Sequence, residues 1–232
     1  MLSSLPRLLA AFALLVCFAV PLPASAANLA GISGQDAAAG VREAMAQGAE
    51  LAVGQLGRDN GFLGNKAVKI PLPGALKKAE KVLRTFGKGK DADALIAAMN
   101  HAAERAVADA GPVLADAVRA MTVTDAHGIL TGGEHSVTDY FRRTTGETLA
   151  TKFRPIVAQA TQQVALAETY DKFAGKAASL GLVSKEDADL DGYVTQKAID
   201  GLFKTIAAQE MALRKNPLGA SSSLLKKVFG AL

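Results

Sequence analysis

The residues whose types and spacing come nearest to a known chemistry are Asp187, Asp189 and Asp191, which alternate ahead of Gly192 in DADLDGYV. Oxygen ligands at positions 1, 3 and 5 with glycine at 6 open a calcium-binding helix-loop-helix loop, and Val194 fills its apolar position 8. Position 12 is Ala198, where a bidentate glutamate should close the oxygen cage. The helix entering the loop also stops early, at Gly181. The three aspartates form an incomplete metal set, and the competing role for them is to cap and polarise helix N-termini.

A second group lies in MNHAAE. His101 and Glu104 are three apart on one helix, a spacing that can serve a metal, but a site needs at least three ligands. His127 and His135 lie in unrelated helix-end contexts. Asn100 and Glu104, four apart, could line a polar pocket, and so could Arg142 with Arg143; residues of this kind also tie helices to loops. The sequence has no HExxH, no GxSxG, no phosphate loop and no GxGxxG. No catalytic residue and no cofactor is therefore expected.

The third feature is charge. From Lys66 to Lys90 there are eight basic residues and one acid, Glu80, a local net charge of +7 in a chain whose total is +4. Within a helix expected over 73–86, Lys77, Lys78, Lys81 and Arg84 fall on an arc apart from Leu76, Ala79, Val82, Leu83 and Phe86. Such a face suits an anionic surface such as phospholipid headgroups, and a merely solvated face has the same pattern.

These residues are carried by helical periodicities. Leu95, Met99, Ala102 and Ala106 make a core-facing stripe that places Asn100 and Glu104 on the opposite side. Asp91 suits the N-cap of that helix, Gly111 its end, and Pro112 the start of the next. From Asp36 to Leu56, Val41, Ala44, Met45, Leu51 and Ala52 share a side, and Gly40, Ala44, Gly48 and Ala52 recur every four residues as a shallow groove. AVKIPLP, residues 67–73, contains two prolines and is expected as an extended strap. Thr124, Ser136 and Asp191 are expected helix starts, and Pro155 is expected to kink or break a helix near Lys152 to Arg154. Asn216 and Pro217 end the last long helix, and LLKKVFGAL forms a short terminal one. The fold class is all-α: a single compact bundle of about eight to ten helices over 27–232 with one short Pro-containing strap.

Residues 1–26 read as a signal peptide, since Arg7 precedes the apolar run Leu8 to Val20 and the segment closes on Ala24, Ser25 and Ala26. Cleavage is expected after Ala26. The run is shorter than the ~20 residues of a membrane span. Cys17, the only cysteine, follows Val16 and lacks the small residues of a lipid-attachment site. A mature chain without it has no disulfide and no thiolate metal site.

GVREAMAQGAELAVGQLG from Gly40, VKIPLPGALKKAEKVLR from Val68, AMTVTDAHGILTGG from Ala120, TDYFRRTT from Thr138 and YVTQKAIDGLF from Tyr193 together resemble the bacterial secreted family called domain of unknown function 4197. The resemblance implies a helical, exported protein and assigns no catalytic residues. The expectation is a noncatalytic periplasmic or envelope-associated binding protein, its candidate partner an anionic envelope surface or another envelope protein. No nucleic acid and no transmembrane span of the mature chain are expected. A carrier of an apolar ligand within the bundle, or an enzyme with polar residues assembled only by folding, are the alternatives.

Overall fold

The computed structural model describes residues 32–74, 77, 84, 89–163, 167–168, 170, 188–216 and 222–229. Seven helices are formed among the described residues: α1 Gly34–Leu56, α2 Gly89–Ala108, α3 Gly111–Ala120, α4 Val123–Thr131, α5 Ser136–Thr161, α6 Leu190–Lys215 and α7 Ser223–Phe229. The fold is all-α, as expected, but this is fewer helices than eight to ten. Part of the difference is Pro155, which lies inside an uninterrupted α5 instead of breaking it. Pro155 is on the exposed face, between the buried Phe153 and Val157, so water can reach the Thr151 carbonyl that loses its helical donor. Most of 73–86 and of 170–180, both expected as helical, lies outside the described residues.

Helix starts follow side-chain chemistry. Ser33 accepts from Asp36 N at 3.0 Å and caps α1. The expected cap Thr124 lies inside α4; Thr122 caps it instead, in a box where Thr122 Oγ1 accepts from Asp125 N and Asp125 accepts from Thr122 N. Asp189, not Asp191, caps α6 by accepting from Gly192 N at 2.9 Å. Asp91 is in the first turn of α2, which begins two residues before it; α2 ends at Ala108, and Gly111, expected as its end, instead begins α3, with Pro112 in the first turn as expected.

At the centre, α2 buries Leu95, Met99, Ala102, Ala106 and Val107. It packs against α5, α6 and α1, and its alanines permit close helix approach. The α5 and α6 helices share the most extensive interface, filled by Phe141, Leu149, Phe153, Leu202 and Phe203. The small-residue stripe of α1 receives α7: a Cβ at Gly40 would lie 2.7 Å from Val228 Cγ2. Between α1 and α2, residues 57–74 cross the bundle in turns and irregular backbone. Asn60 takes φ 61° there, which asparagine tolerates, and Phe62 is fully buried against Gly201, where a Cβ would lie 2.5 Å from its ring.

Candidate functional site

Asn100 and Glu104 are both buried, against the expectation that they face away from the core. The reason is backbone arriving from 57–74: the strap, whose prolines keep it out of a helix, brings polar groups to Asn100, and the turn before it brings the amides of Phe62 and Leu63 to Glu104. Asn100 Oδ1 accepts from Ile70 N at 2.8 Å, and Nδ2 donates to Ile70 O at 2.9 Å and to Ile96 O at 2.8 Å. Glu104 Oε1 accepts from Phe62 N at 2.9 Å and Leu63 N at 3.0 Å, while Oε2 lies 2.7 Å from His101 Nδ1. The pair binds backbone of this chain. Tyr193 Oη to Pro71 O and Lys204 Nζ to Ala67 O fix the strap's other edge.

A second buried polar cluster is one the sequence reading did not single out. Glu210, 5% exposed, accepts from Val137 N and Thr138 N at 3.0 and 3.1 Å, so an acid from α6 caps the first turn of α5. Ser136, the expected cap, instead donates to Ile129 O. Arg214 Nη2 reaches Glu210 Oε1 at 3.0 Å, Ser136 Oγ at 2.7 Å and Ile129 O at 3.0 Å. One ion pair thereby places an anion at the N-terminus of α5 and a cation at the last turn of α4, each favoured by the helix dipole. The available signal was an i, i+4 Glu-Arg pair interrupting the Ile206 to Leu213 stripe.

The other candidates are dispersed. Arg142 lies over Phe203 and 3.6 Å from Asp200 of α6, whereas Arg143 approaches Tyr140 and Asp125. Asp189 also binds Arg154 at 2.7 Å, and Asp191 accepts from Thr161 Oγ1 at 2.6 Å. Asp187 lies outside the described residues, among which no group of three or more His, Cys, Asp or Glu is placed to hold a metal ion. Lys77 and Arg84 are exposed, and Arg84 forms a two-pronged ion pair with Asp93 that holds the Asp93 carboxyl below its ordinary range. Lys78 and Lys81 lie outside the described residues, as does the leader with Ala26.

What the helices do build is a groove between α1 and α6. Ala44, Met45, Gly48 and Leu51 supply one wall, Ile206 and Leu213 the other, with Val137 of α5 and Phe229 of α7 closing its ends. Its volume is about 400 Å³. Gly48 also lines it, and a Cβ there would meet Gln209 Cβ at 3.8 Å, an ordinary contact. Leu51, expected in the core, is 58% exposed at the mouth, where Gln47, Gln209 and Asn216 add hydrogen-bonding groups. Glu210 lies in the wall with both oxygens engaged by the α5 turn. The groove thus offers apolar contact with polar groups at its rim, the composition of a binding pocket.

Among the described residues, no helix is long and apolar enough to cross a membrane. Neither the curated proteins nor the solved structures contain a match to the chain. The family model described as "Protein of unknown function (DUF4197)" matches residues 31–230. With nearly all of the helical region inside that match, the chain belongs to this family.

Proposed function

We propose that this is an exported, noncatalytic binding protein of the periplasm or cell envelope, and that its ligand enters the groove between α1 and α6. The observation that carries the reading is the groove itself: about 400 Å³ lined by Met45, Leu51, Ile206 and Leu213 beside Gly48, with amides at the rim. That volume lies within the ~300–1,000 Å³ range of small-molecule sites. The buried polar side chains argue against an assembled reaction centre, since Asn100, Glu104 and Glu210 are spent on backbone groups of their own chain. The leader, with Arg7, an apolar run and Ala24-Ser25-Ala26, supports export.

Protein recovered from its native envelope should begin at Ala27 by intact mass. It should bind an environment-sensitive apolar fluorophore saturably. Gly48→Leu fills the groove and replaces glycine within a helix, a gain of roughly 0.5–1 kcal/mol in helix propensity. It should abolish binding while the protein melts no lower than wild type. An unprocessed or lipidated N-terminus overturns the export reading. A fluorophore that fails to saturate on wild type, or binds the folded Gly48→Leu protein equally well, overturns the groove.

A further inference from the structure

The groove does not end at Leu51. It continues along α1 into an open trough of about 840 Å³, reached past Gln47, Leu51 and Gln209, which line both spaces. The lining changes from apolar to charged, because Glu50, Gln55 and Arg58 border the trough. Glu50 and Arg58 are exposed, and neither has an ion-pair partner among the described residues. Glu50 lies about two turns before the end of α1, whereas Arg58 follows the C-cap Gly57, so they are not the neighbours three or four apart on one helix that form helical ion pairs. A carboxylate and a guanidinium thus border one mouth without pairing with each other.

Resting on the groove reading above, we infer that the ligand is a single-chain amphiphile with a zwitterionic head, such as a phosphate joined to an ammonium group. The chain occupies the apolar cavity between α1 and α6. The head occupies the trough, its phosphate toward Arg58 and its ammonium toward Glu50, with the Gln209 amide at the junction. A cavity of about 400 Å³ is near the small end of ligand sites and suits one chain better than two. A head of one sign would meet one attractive and one repulsive group, so the mouth selects against it.

The test uses three amphiphiles with the same twelve-carbon chain, each below its micellar concentration: dodecylphosphocholine, laurate and dodecyltrimethylammonium. Affinities for the mature protein are read by titration calorimetry. Dodecylphosphocholine should bind about three- to tenfold tighter than either of the others, the discrimination that two exposed ion pairs can supply. Arg58→Glu should reverse the order in favour of the cation, and Glu50→Lys in favour of the anion. Both positions are exposed, and circular dichroism checks that the variants keep the wild-type fold. Equal affinity for the three heads, blocked by Gly48→Leu, sinks the head-group inference and leaves the groove standing. Binding of none of them overturns this inference, and the fluorophore experiment then decides the groove separately.

Discussion

Asn100 makes three hydrogen bonds with one side chain, two of them to the same strap residue, so its replacement gives the sharpest test of how the strap is held. In Asn100→Ala the N–H and C=O of Ile70, a residue 1% exposed, lose their partner. Each buried orphan costs about 1–3 kcal/mol, which gives roughly 2–6 kcal/mol for the pair. The chain could avoid that cost by releasing the strap to water. Release would expose Ile70 and Leu72, both buried, at roughly 1.5–3 kcal/mol each, and would give up the strap's bonds to Tyr193 Oη and Lys204 Nζ at roughly 0.5–1.5 kcal/mol each. Release therefore costs more than the orphans, and the strap should stay docked but loosened.

Two measurements separate these outcomes. Urea unfolding should show a loss of about 2–6 kcal/mol with an unchanged m-value, since the native surface is unchanged. Hydrogen exchange should show the Ile70 amide losing protection while the Leu63 amide, held by Glu104, keeps it. Asn100→Asp should be no milder: it keeps the acceptor for Ile70 N but turns a second oxygen toward the carbonyls of Ile70 and Ile96. A stability loss under about 0.5 kcal/mol for alanine, with Ile70 still protected, would refute the assignment of Asn100 as the strap's clamp.

Two more outcomes follow from the caps. Glu210→Ala leaves Arg214 and two amides of α5 without their acceptor and should cost about 3–5 kcal/mol in urea unfolding; Glu210→Met/Arg214→Met should cost less than the sum of the single changes, and additivity would contradict the coupling. At the start of α4, the hydroxyl and backbone amide of Thr122 hold the Asp125 carboxyl below its ordinary value of 3.8. The folded value is thus the lower one, so this contribution is fully present above the unfolded value and is lost as pH falls through the folded one. Thr122→Ala should cost about 1 kcal/mol at pH 7, and its deficit should narrow as pH falls from 5 toward 2; a deficit that grows with acid would contradict the sign.

The stripes that periodicity can read were read correctly: Leu95, Met99, Ala102 and Ala106 are all fully buried, and α1 ends where its apolar pattern ends. Failures came where one helix's sequence is silent about what another segment brings to it. Periodicity placed Asn100 and Glu104 outside because it counts side-chain polarity and not backbone groups arriving from thirty or more residues upstream. Glu210 was passed over for the same reason, its partners being the amides of Val137 and Thr138, over seventy residues away. Leu51 is the converse: its position on the α1 stripe is correct, but it stands at the mouth of the groove and is left 58% exposed. Pro155 was judged by its effect on an isolated helix, whereas the exposed face of α5 lets water take the freed carbonyl. One question would have exposed the first error from sequence alone. A strap with Pro71 and Pro73 cannot satisfy its backbone internally, so a polar side chain on a neighbouring helix is needed, and Asn100, which both donates and accepts, is suited to hold the N–H and C=O of one strap residue.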